Sequence, residues 1–136
     1  DSIIYFVSLS EYDQTLFEDG ITNRMQESMV LFDQICNMKW FSRINFILFL
    51  NKKDLFETKI KNQNITTAFP EYTGLQEYLP AIEYIKKKFL EINHNPERKV
   101  FPHITCATDT ENVKVVFNAV KDTVLASTLR ASGLLL

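Results

Sequence analysis

The chain has 136 residues, 46% of them hydrophobic and 24% charged, with a formal net charge of -2. That is enough for one globular domain and too apolar for a disordered chain. It also lacks the positive surplus that would draw it to nucleic acid. The longest apolar runs, IIYFV and FILFL, are far too short to span a bilayer, and no secretory signal opens the sequence. Cys36 and Cys106 lack metal-ligand spacing and stand in apolar contexts, which reads as reduced thiols of a cytosolic protein.

Three glycines occur, Gly20, Gly74 and Gly133, and none belongs to a glycine-rich phosphate loop. The sequence opens at Asp1 inside a strand-like run. The expectation is a piece of a longer protein.

SIIYFVSLS, residues 2 to 10, is a near-continuous apolar run. It predicts a strand covered on both faces, as in a parallel sheet. EYDQTLFEDG, residues 11 to 20, reads as a loop. Ile21, Met25, Met29, Phe32 and Ile35/Cys36 then recur at steps of three and four, one apolar stripe on a helix. INFILFL, residues 44 to 50, predicts a second buried strand.

LFETKI, after Asp54, is a short amphipathic piece, followed by an irregular stretch to Gly74. A helix is expected over about residues 76 to 93. Its buried side carries Tyr78, Leu79, Ile82, Ile85, Phe89 and Ile92, with Pro80 tolerated in the first turn. VFPHITCAT, residues 100 to 108, is the third strand, weakened by Pro102. Thr108 to Glu111 match a capping box. A final helix with Val113, Val116, Phe117, Val120 and Val124 on one face runs toward Gly133. Strands alternating with helices imply right-handed crossovers and a parallel α/β sheet in a single domain, residues 1–136.

In such a sheet ligands bind beyond the carboxyl ends of the strands. Asn51, Lys52 and Asp54 stand at the end of the second strand, and Cys106, Ala107 and Thr108 at the end of the third. An ionised aspartate is acceptor-only. It matches guanine, which presents ring N1–H and the exocyclic N2 amino group side by side, and it repels adenine. A site of this kind discriminates by roughly four orders of magnitude, because the wrong base leaves buried groups unpaired. Asn51 offers a donor to guanine N7, and the stem of Lys52 can cover one face of the base. The backbone N–H of Ala107 can meet guanine O6. Asn-Lys-x-Asp alone is moderately specific, and a solvated polar loop is the plain alternative. The TCAT at the next strand end adds most of the weight.

With those residues in place, the chain resembles the α subunits of heterotrimeric G proteins. FLNKKDLF, TCATDT, NRMQESMVLFDQICNMKWF and SLSEYDQ carry the resemblance, which covers essentially all 136 residues. It implies the C-terminal half of a three-layer, P-loop-NTPase-like (Ras-like) GTPase domain. It further implies GTP/GDP as ligand, with Asn51, Lys52 and Asp54 on the base and Cys106, Ala107 and Thr108 as the second guanine loop. The helix over about 112 to 130 and the tail to Leu136 would dock a G-protein-coupled receptor. The segment CNMKWFSRI around Trp40 would face an effector, with Gβγ a partner of the full-length protein at the cytoplasmic face of the plasma membrane.

The phosphate loop, the Mg ligands and the catalytic groups of the family would lie upstream of Asp1. No catalytic or metal-binding residue is therefore assigned here, and the 136 residues alone are expected to be inactive. In the tail, Ser132 stands where some members carry a toxin-modified cysteine. The alternative is a non-catalytic interaction module that binds receptor or effector and no nucleotide by itself.

Among the remaining features, His94 and His103 read as ordinary polar or core histidines. Glu11 and Asp13 carry no catalytic role. Lys86-Lys87-Lys88 reads as a solvated helix face, with contact to acidic lipid as the sharper alternative.

Overall fold

A computed structural model of the chain describes residues 2–41, 43–106, 114, 117–122, 124, 125, 129 and 133. Three parallel strands, β1 (Ser2–Ser8), β2 (Asn45–Asn51) and β3 (Val100–Ile104), pair in the order β1-β2-β3. Ser2 to Ser8 align with Asn45 to Asn51, and Phe46 to Leu50 with Val100 to Ile104. Helix α1 (Arg24–Cys36) links β1 to β2, while α2 (Lys53–Lys59) and α3 (Tyr78–Ile92) link β2 to β3. Successive crossovers of one hand in one direction bring their helices to the same face.

The core lies between that face and the helices. Val7, Phe46, Leu48 and Leu50 rise from the sheet to meet Met25, Phe32, Phe56, Ile82 and Phe89. Phe32 is the centre of this layer. Its ring lies 5.1 Å from Tyr5, 5.9 Å from Phe46 and 5.7 Å from Phe89, joining α1, the sheet and α3. On the opposite face Phe49 stacks between Phe6 and His103.

The elements follow the expected order, with corrections that packing explains. The first strand stops at Ser8, and Leu9–Glu11 turn as a 3-10 helix. It is covered on one face only: Ile4 is 42% and Phe6 57% exposed. β2, paired on both sides, does reach full burial from Phe46 to Leu50. The first helix begins at Arg24 because Asn23 caps it, accepting from the Met25 and Gln26 N–H groups at 2.9 and 3.1 Å. Ile21 therefore falls outside the helix and is exposed, whereas Met25, Phe32 and Cys36 are buried. In α3, Leu79 faces solvent and Ala81 takes its place inside. Pro80 sits third in that helix, where its missing N–H costs no bond.

Pro102 lies in β3, which pairs with β2 alone among the described residues, so no second ladder needs its N–H. The capping box at Thr108 to Glu111 lies outside the described residues. Of the final helix, 114, 117–122, 124, 125 and 129 are described, and they are helical.

Candidate functional site at the carboxyl rim of the sheet

Because all three strands are parallel, Ser8, Asn51 and Ile104 end on one rim. The chain leaves β2 through Lys52, the one described non-glycine residue with positive φ, at φ 62° and ψ 43°. This left-handed step costs a residue with a Cβ roughly 1–2 kcal/mol. It turns the chain sharply from strand into α2, whose first turn holds Asp54.

β3 is stitched to this corner by two backbone bonds. Thr105 N–H donates to Leu50 O at 2.9 Å, and Lys53 N–H donates to Thr105 O at 3.1 Å. The hydroxyl of Thr105, a buried residue, donates to Asn51 Oδ1 at 3.1 Å. With Oδ1 so engaged, the Asn51 amide presents its two N–H donors elsewhere.

The structure thus brings Asn51, Lys52, Asp54 and Cys106 to one corner, while Ala107 and Thr108 lie outside the described residues. Asp54 is exposed, and its carboxyl makes no hydrogen bond or ion pair among the described residues. Ser8, in register with Asn51, has a buried hydroxyl without a partner among the described residues. The Asn51 amide donors and the free Asp54 carboxyl are therefore the polar groups this corner leaves unengaged among the described residues.

Beside the corner lies a groove of about 590 Å3 lined by Ser10, Asp13, Lys52, Leu55, Lys59 and Gln63, among others. It shares Lys52 with the rim but not Asn51, Asp54 or Cys106. Its floor is tied by Lys59, which bonds Asp13 at 2.8 Å and Ser10 O at 2.6 Å. Tyr12 is buried beneath, its hydroxyl donating to Gln63 O at 2.7 Å; burial pushes its pKa up to about 12.

Sequence reading missed Thr105. Its hydroxyl stands at the start of TCAT, but only the β2–β3 register places it against Asn51.

A model of the G-protein alpha subunit family matches residues 1–124. The chain belongs to the G-protein α subunit family. It is 55% identical over 133 residues to the guanine nucleotide-binding protein G(o) subunit alpha of Locusta migratoria, spanning 98% of this chain. The same holds for that protein of Lymnaea stagnalis. The alpha-17 subunit of Caenorhabditis elegans is 53% identical over 136 residues, 99% of this chain. In each case the match covers 38% of the relative's length. Among the described residues no group of three His, Cys, Asp or Glu could hold a metal ion, and no helix is long and apolar enough to cross a membrane.

Lys86, Lys87 and Lys88 pair with Glu83, Glu91 and Glu71 at 3.1, 3.8 and 3.5 Å, as a solvated helix face does. Glu11 pairs with Arg24 and Asp13 with Lys59. Both cysteines are free thiols, Cys36 buried and Cys106 partly so.

Proposed function

We propose that the chain supplies the guanine-recognition part of a GTP-hydrolysing G-protein α subunit that relays receptor signals to effectors. The observation that supports this best is the corner after β2, where Thr105 holds the Asn51 amide and Asp54 leaves its carboxyl unengaged. In this reading Asp54 accepts from guanine N1–H and N2, Asn51 donates to N7, and the Lys52 stem covers the ring. Cys106, Ala107 and Thr108 close the other side, with Ala107 N–H on O6.

The phosphates and Mg are bound by parts of the α subunit outside these residues, so the 136 residues alone hydrolyse no GTP. The final helix and the tail to Leu136 dock the receptor. The segment around Trp40, which is 85% exposed, faces the effector. Gβγ joins the full-length protein at the cytoplasmic face of the plasma membrane.

Asp54→Asn in the full-length protein tests the base assignment. Xanthine carries a carbonyl where guanine carries the N2 amino group, so the new amide can face it. The variant should lose GDP and gain xanthosine diphosphate in competition binding. An unchanged preference for GDP would overturn the assignment.

A second reading is favoured by the exposure of Trp40 and Met38 together with the lack of any glycine-rich loop. By itself the chain would then be an interaction module without nucleotide affinity. Calorimetry with GDP separates the two, since base contacts without phosphate contacts give weak binding at best. Tight GDP binding by the 136-residue chain would refute this account of where the affinity lies.

A further inference from the structure

We propose that the pocket beneath the carboxyl ends of α1 and α3 is a binding site for a carboxylate, with Arg98 as its recognition group. The pocket lies at the rim opposite the proposed base site and stands independently of it. It encloses about 320 Å3 and is lined by Cys36, Asn37, Lys39, His94 and Arg98, among others.

Its walls are built from polar links between two loops. Asn37 Nδ2 donates to Ile92 O at 3.0 Å, and Asn37 Oδ1 accepts from His94 N–H at 3.2 Å. Asn93 Nδ2 donates to Arg98 O at 3.0 Å, so the 93–99 loop is fixed in front of α1.

Arg98 is 4% exposed. Its Nε donates to Ile44 O at 3.1 Å, and its guanidinium carbon lies 4.7 Å from the Phe46 ring centroid. These contacts hold the group in place and offset part of its desolvation. They still leave Nη1 and Nη2 without a hydrogen-bond partner among the described residues. Those two nitrogens carry four of the five guanidinium donors.

No counter-ion stands by. Arg98 makes no ion pair with a described carboxylate. Cys36 beside it stays a thiol, because burial pushes its pKa up. Asp33, the nearby acid, accepts from Asn37. Two parallel N–H groups in a rigid fork match a carboxylate, which accepts both. Lys39 also lines the pocket and brings a second positive charge to it. The carboxylate can be a free small acid or a glutamate or aspartate side chain of a partner; the recognising chemistry is the same.

Trp40, the chain's one tryptophan, directly follows Lys39, which lines the pocket, and serves as the fluorescence probe. The chain is titrated with acetate at constant ionic strength, with chloride as the control. Guanidinium signals of Arg98 are followed by nuclear magnetic resonance. Acetate should give a saturable change in Trp40 emission and shift the Arg98 Nη signals, and chloride neither. Arg98→Lys, which keeps charge and loses the fork, should weaken the response at least tenfold while circular dichroism shows the fold retained. If that variant unfolds, the Arg98 signals of the unaltered chain decide alone. Movement confined to Lys39, Arg43 and Lys99, or an equal response to chloride, overturns the proposal, and so does inorganic phosphate binding more tightly than acetate. A glutamate-rich peptide that outcompetes acetate assigns the site to a partner's side chain, and equal affinity per carboxylate assigns it to a free acid; either result supports the site.

Discussion

Thr105 shows how one hydroxyl can fix the side chain proposed to meet the base. Its bond to Asn51 Oδ1 decides which way the amide points, and its backbone joins the ends of β2 and β3. Thr105→Val keeps the shape and removes the donor. It should cost about 1 kcal/mol of stability in urea denaturation and weaken GDP binding in the full-length protein, whereas Thr105→Ser should retain both.

His103 acts on the other face. Its ring lies 5.5 Å from Phe49, its Nε2 is buried without a partner among the described residues, and burial lowers its pKa. The folded chain therefore binds a proton less readily than the unfolded one. Stability is fully present above the ordinary value of 6.5 and falls as pH drops below it. Urea midpoints at pH 7.5 and 5.5 should show this loss, and His103→Phe should flatten it.

At the scale of elements, caps decide boundaries that apolar periodicity leaves open. The stripe from Ile21 to Cys36 runs one turn longer than α1, because Asn23 ends the strand-like backbone and satisfies two N–H groups at once. The same side chain donates to Tyr12 O at 2.7 Å, so it also fixes the loop that approaches the helix. Asn23→Ala should cost about 1 kcal/mol or somewhat more, measured as a lower urea midpoint with unchanged slope. The three-lysine run on α3 teaches a related lesson. A like-charge run in sequence becomes three separate ion pairs once Glu71, Glu83 and Glu91 are brought beside it.

For the molecule as a whole, the weak point is β1. Its outer edge has no partner among the described residues, and Ile4 and Phe6 stand exposed beside that edge with no charged residue from Ser2 to Ser8. A flat, uncharged, apolar edge invites pairing with another chain. The 136-residue chain should self-associate with rising concentration in light scattering, and Ile4→Lys should suppress it. A monodisperse monomer that melts cooperatively would contradict this expectation.

The order of strands and helices, the parallel sheet and the polar corner after the second strand were all legible in the sequence. Apolar runs, helical periodicity and a strand-end Asn-Lys-x-Asp are local patterns, and local patterns survive without knowledge of the fold. Three things were decided only by tertiary structure: the pairing of Thr105 with Asn51, the exposure of Ile4, Phe6 and Leu79, and the burial of Arg98 beneath two helix ends. Each depends on register or on which face another element covers. Such relations join residues more than fifty positions apart for Thr105–Asn51 and Arg98–Ile44, and no sequence window contains both partners.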